Sequence, residues 1–113
     1  MKRRVVVTGI GAVTSLSCKV DDLWSKVLRG ESGIHLLKAF DTSQHKVKFG
    51  GDIHDWSTEG YIDRKEDKRI DRFTQFALVA AIDAVNDSGL DFAKEEAFRC
   101  GVILGSGIGG LTE

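Results

Sequence analysis

Cys100-Gly101-Val102-Ile103-Leu104 runs directly into Gly105-Ser106-Gly107-Ile108-Gly109-Gly110, and the reading of this stretch decides the fold. The apolar run predicts a buried strand, and the glycines predict the loop that it delivers. Loops at the carboxyl ends of strands in α/β sheets are where ligands bind. Only Leu111, Thr112 and Glu113 follow. The expectation is therefore an incomplete domain, with no internal boundary across residues 1–113, whose role has to be separated from that of a larger parent.

Working outward, Arg4-Val5-Val6-Val7-Thr8 is β-branched without alternation, as suits a strand covered on both faces, and Gly9-Ile10-Gly11 ends it. Asp21 or Asp22 is expected to cap a short helix carrying Leu23, Trp24, Val27 and Leu28, with Gly30 in the left-handed position after it. Val47 and Phe49 alternate with Lys46 and Lys48, which predicts a short, half-exposed strand broken at Gly50-Gly51. Ile70, Phe73, Ala77, Ala80, Ala81 and Ala84 repeat at steps of three and four, and Gly89 closes the pattern. They predict a central helix about 28 Å long, its alanines allowing other backbone to approach closely. A further helical stretch is expected near Phe92 to Phe98. Strand, helix, strand, helix, helix, strand is the order of a layered α/β fold.

The 113 residues carry 42% hydrophobic and 29% charged side chains, 13 glycines and no proline, an ordinary soluble composition with turns built on glycine. By size scaling such a chain buries roughly two-thirds of its unfolded surface. Sixteen basic residues against 17 acidic ones remove the global electrostatic case for a nucleic-acid or anionic-membrane partner. Cys18 and Cys100 do not make a disulfide framework, so a reducing, cytoplasmic setting is expected. Lys2-Arg3-Arg4 and Leu16-Ser17-Cys18 imitate a lipoprotein signal, but Thr8, Gly9, Gly11 and Thr14 interrupt the apolar run.

Gly105-x-Gly107-x-x-Gly110 matches the glycines of a dinucleotide fingerprint, yet neither a following helix nor a downstream acidic residue accompanies it. Glycines in a tight loop are the favoured reading. Neither cysteine shows the neighbouring base or cation that activates a thiolate. His35, His45 and His54 stand ten and nine residues apart, without the short spacing of metal ligands, so solvated loop histidines are expected and no metal.

Arg64-Lys65-Glu66-Asp67-Lys68-Arg69-Ile70-Asp71-Arg72 separates its charges by sign. On a helical wheel Lys65, Lys68, Arg69 and Arg72 share a sector of about 100°, with Glu66, Asp67 and Asp71 facing away. This predicts a cationic ridge. Glu66 would meet the apolar face of the next helix, so a break before Ile70 is also predicted. A solvated face laced with i,i+4 pairs is the alternative.

Taken together, Lys2-Arg3-Arg4-Val5-Val6-Val7-Thr8-Gly9-Ile10-Gly11, Gly30-Glu31-Ser32-Gly33-Ile34, Phe40-Asp41-Thr42-Ser43, Arg64-Lys65-Glu66, Asp87-Ser88-Gly89-Leu90 and Gly105-Ser106-Gly107-Ile108-Gly109-Gly110 resemble the amino-terminal portion of type II β-ketoacyl-[acyl-carrier-protein] synthases. The resemblance implies part of a thiolase-like layered α/β/α fold, normally a homodimer. It implies an acyltransferase of fatty-acid biosynthesis that condenses an acyl-enzyme with malonyl-carrier protein by decarboxylation, without metal or nucleotide cofactor. The nucleophilic cysteine and two histidines of that family lie further along than Glu113, so no catalytic residue is expected here and the chain alone is expected to be inert. The resemblance transfers Ile108 to the acyl pocket, and Lys65, Lys68 and Arg69 to the docking surface for the acidic acyl carrier protein. Ser15 and Ser17 stand where the family usually has proline and glycine, with Cys18 following. A noncatalytic partner subunit of a condensing enzyme, or a nucleotide-binding module, are the other readings.

Overall fold

The computed structural model describes residues 2–110, and its longest element is the helix that the alanine pattern predicts. In chain order the elements are α1 (Val20–Leu28), β1 (His35–Leu36), β2 (Phe49–Gly50), α2 (Arg64–Asp67), α3 (Arg72–Ser88) and a 3-10 turn at Ala97–Arg99. The expected break before Ile70 is present, since α2 stops at Asp67 and Asp71 resumes in extended backbone ahead of α3. Gly89 ends α3 at φ 65° and Gly30 follows α1 at φ 71°, left-handed positions that only glycine takes without strain.

α3 organises the molecule. Val79, 1% exposed, is the buried apolar residue on it, while Gly9 and Gly11 cross its alanine face. A Cβ on Gly9 would lie 2.0 Å from the Ala84 carbonyl oxygen, and one on Gly11 would lie 1.9 Å from that of Ala80. The Ile10 amide donates to the Asp87 carboxylate at 2.9 Å, which pins this crossing to the end of α3. At the other end Trp56 packs on Phe76, ring centroids 4.9 Å apart.

Several expectations give way. Arg4–Thr8 and Cys100–Leu104 are not strands: neither has a ladder partner among the described residues, and Val5 and Ile103 are 93% and 98% exposed. A strand exists only through hydrogen bonds to a neighbour, which composition alone does not supply. The observed sheet is instead an antiparallel pair, with His35 opposite Gly50 and Leu36 opposite Phe49. A layered sheet is thus absent among the described residues. Residues 92–98 form turns and part of the 3-10 turn rather than a helix, because all of them are exposed and a short helix without a packed face is marginal. At α1 it is Lys19, not Asp21 or Asp22, that holds the cap position; the two acids lie in the first turn, where they oppose the positive helix end. Asp22 there pairs with Lys26 at 2.6 Å.

Burial also falls short of the size expectation. The accessible surface is 9675 Å² for a 12.4 kDa chain, against about 6,100 Å² for a compact protein of that mass. The radius of gyration is 17.2 Å, where about 13 Å is typical of a compact domain this long. The two unpaired apolar segments contribute part of the excess, Val5 and Ile103 being 93% and 98% exposed. At the turn with serines in place of proline and glycine, Thr14 supplies the closure. Its hydroxyl donates to the Ser17 carbonyl at 2.7 Å and accepts from the Leu16 and Ser17 amides at 3.2 and 3.0 Å. No helix among the described residues is long and apolar enough to cross a membrane.

Candidate functional site

Asp63 starts the cationic turn by accepting the Lys65 amide at 2.8 Å, and the Arg69 amide closes it on the Glu66 carbonyl at 2.9 Å. Lys65 in α2 and Lys68 and Arg69 in the turn that follows it are all exposed. None of them is in an ion pair among the described residues, so the turn presents unneutralised charge, unlike the laced face of the alternative reading. Arg72 does not belong to it. Its guanidinium donates to the Ile53 carbonyl and lies 5.7 Å from the Trp56 ring and 5.2 Å from the Phe76 ring. The helix break between α2 and α3 turns Arg72 away, and the wheel assumed one continuous helix.

The glycine loop lies against the start of α3, with Gly109 at φ 80° beside the Phe73 ring. Phe73, Thr74 and Ala77 face Leu104, Gly105 and Ser106 across a cavity of about 270 Å³. Ile108 sits at the tip of this loop, 76% exposed and outside that lining. Phe73 was legible only as helix face; its role as the loop's floor comes from a contact that local periodicity does not encode. No helix opens on the glycines among the described residues, and Leu111 to Glu113 lie outside them, so a dinucleotide fingerprint has no structural support in residues 105–110.

Neither cysteine is set up as a nucleophile. The Cys18 thiol donates to the Thr14 carbonyl at 3.8 Å, and Cys100 is exposed, with no hydrogen bond to its sulfur among the described residues. His45 packs on Phe40, ring centroids 5.5 Å apart. His35 and His54 are brought together with Asp52, which spacing along the chain did not anticipate. Asp52 is the most perturbed acid. Hydrogen bonds from the Lys38 and Ala39 amides and from His35 hold its carboxyl down to about 2, against the opposing effect of burial.

Residues 2–113 match the family model described as the beta-ketoacyl synthase N-terminal domain. The 3-oxoacyl-[acyl-carrier-protein] synthase 2 of Synechocystis sp. is 43% identical over 110 residues, 97% of this chain and 26% of that protein. The proteins of the same name from Staphylococcus aureus and Vibrio harveyi are 44% and 41% identical, covering 96% and 97% of the chain and 26% of each relative. The chain thus spans about a quarter of the length of the curated relatives it matches. Among solved structures, the ishigamide ketosynthase/chain length factor superposes with a TM-score of 0.74 at 29% identity, over 82% of this chain and 23% of that one. Sequence match and shared backbone lead to the same conclusion: the chain belongs to the β-ketoacyl synthase family, through its amino-terminal domain.

Proposed function

We propose that the chain is the amino-terminal part of a 3-oxoacyl-[acyl-carrier-protein] synthase that elongates fatty acids by decarboxylative condensation of an acyl-enzyme with malonyl-carrier protein. The observation that carries this reading is the identity of 41–44% over nearly the whole chain to relatives bearing that name. The residues contribute scaffold and recognition. Lys65, Lys68 and Arg69 receive the acidic carrier protein, Ile108 walls the acyl pocket, and the bond-making cysteine and histidines belong to polypeptide beyond these residues. The exposed segments Val5–Val7 and Val102–Leu104 then become inner strands of a layered α/β/α core, which pairs their backbone and covers their side chains. The assembled enzyme is a cytoplasmic homodimer that uses acyl and malonyl thioesters and needs neither metal nor nucleotide for the reaction.

Incubating the 113-residue chain with acyl-carrier protein tests the division of labour. No acyl-thioester adduct is expected by mass spectrometry, because neither thiol has an activating neighbour; stoichiometric acylation of Cys18 or Cys100 would refute it. A second expected result concerns the pocket. Ile108→Phe in the parent enzyme shortens the longest acyl chain accepted, since added ring volume in a packed pocket displaces substrate carbons. An unchanged product profile removes Ile108 from the pocket.

The second reading is a noncatalytic partner subunit of a condensing enzyme. It is favoured by the structural neighbour, whose name pairs a ketosynthase with a chain length factor. The parent's remaining sequence separates the two readings, since only the enzyme carries the nucleophilic cysteine.

A further inference from the structure

We propose that His35, Asp52 and His54 form a binding site for a divalent transition-metal ion of borderline softness, zinc foremost, at the exit of the β1–β2 pair. The three side chains offer two imidazole nitrogens and a carboxylate oxygen, all within 4.8 Å of one another. Pairing His35 with Gly50 brings them together. Asp52 and His54 follow Gly50 by two and four residues in the loop after β2, and Asp52 reaches back to contact His35.

The hydrogen bonds around the cluster orient it for a cation. Both the Lys38 and Ala39 amides donate to Oδ2 of Asp52 at 2.9 Å, which locks the carboxylate and leaves Oδ1 to face the histidines. Nε2 of His54 lies 2.9 Å from the Asp55 carboxylate. In the tautomer with its proton on Nε2, the side facing Asp55, Nδ1 keeps its lone pair. A carboxylate fixing the far nitrogen of a ligating imidazole is the usual outer-shell support of a metal site.

Nδ1 of His54 is buried and has no hydrogen-bond partner, and it stands 3.7 Å from Oδ1 of Asp52. In that tautomer two lone-pair-bearing atoms face each other, and a cation between them would relieve the repulsion. The separation is close to what a metal would impose, since neighbouring ligands of a tetrahedral ion at 2.0–2.1 Å are about 3.3 Å apart. His35, which contacts Oδ1 of Asp52 directly, needs only a small outward swing to admit the ion. The side chains adjoin a cavity of about 210 Å³, also walled by Thr14 to Cys18, from which solvent can complete the coordination.

A donor set with two imidazoles selects zinc-like ions over magnesium or calcium, which prefer all-oxygen shells. Such a clamp would tie β1 to the loop after β2. It is separate from the condensation chemistry and does not depend on it.

The test is calorimetric titration of the untagged chain with zinc chloride, with magnesium chloride as the comparison ion. One zinc equivalent per chain is expected, weakened at least tenfold by His35→Gln and by His54→Gln, the scale on which metal sites respond to lost ligands and supports. His45→Gln leaves it unchanged, and far-UV circular dichroism verifies that the variants keep the helical signal. X-ray absorption of the zinc-loaded unmodified chain supplies a readout that no variant can confuse. Imidazole scattering with first-shell nitrogen or oxygen near 2.0 Å supports the site. A shell of sulfur without imidazole, zinc binding indifferent to His35 and His54, or magnesium binding as tightly as zinc overturns it.

Discussion

Gly11→Val is expected to be among the most destabilising single substitutions in this segment, at about 3 kcal/mol or more. The reason is geometric. Even a bare Cβ at position 11 would stand 1.9 Å from the Ala80 carbonyl oxygen and 2.8 Å from the Ala84 amide nitrogen, all main-chain atoms of a continuous helix. A flexible side chain could move aside, but helix backbone moves only by bending α3 or lifting the amino-terminal segment away. Lifting it breaks the Ile10–Asp87 hydrogen bond as well. A loss of that size changes the folded-to-unfolded ratio by about a hundredfold, a large share of the stability of an ordinary domain. Urea unfolding of the protein, followed by far-UV circular dichroism, reads the effect as a lower midpoint at unchanged slope. Gly9→Ala is expected to behave alike, meeting the Ala84 oxygen at 2.0 Å. Shifts within about 0.5 kcal/mol, the range of ordinary surface substitutions, would mean that the crossing over α3 is not formed.

Reversing Lys65, Lys68 and Arg69 to glutamate in the parent is expected to slow association with acyl carrier protein about 10- to 100-fold at low salt, within the range of electrostatic steering. The three cations stand on one exposed turn without ion-pair partners among the described residues, so their field reaches solvent uncompensated. An approaching acidic partner is attracted by them and repelled by their glutamate replacements. The variant's rate also loses its fall with rising ionic strength, because the attraction that salt screens has been replaced by repulsion. Lys46→Glu/Lys48→Glu, on exposed positions next to β2, serves as the control for net charge and leaves the rate near its starting value. Equal slowing in both variants, or none in either, removes the turn from the docking surface. Arg72 is unsuited to this comparison, since its guanidinium packs on Trp56 and Phe76 and its loss would act through folding.

What chain order alone determined is what neighbouring residues enforce on each other. The alanine periodicity specified α3, Gly89 and Gly30 specified where helices end, and the sign pattern at residues 64–69 specified a cationic face together with the break that follows it. Each depends on residues within one or two turns, so local geometry suffices. Family membership was legible for a different reason: many individually weak blocks occur in one order over residues 2–113.

Tertiary structure decided the rest, because those outcomes depend on residues far apart in the chain. Val5–Val7 and Val102–Leu104 have strand composition, but a ladder needs a second backbone, and none is beside them among the described residues. Arg72 left the cationic face because Ile53, Trp56 and Phe76 gather its guanidinium. His35 and His54 lie too far apart in sequence to signal a shared site, yet the β1–β2 pairing and the loop that follows it bring both to Asp52. Local steric and hydrogen-bond rules shape each element; which side chains share a site follows from how the chain closes on itself.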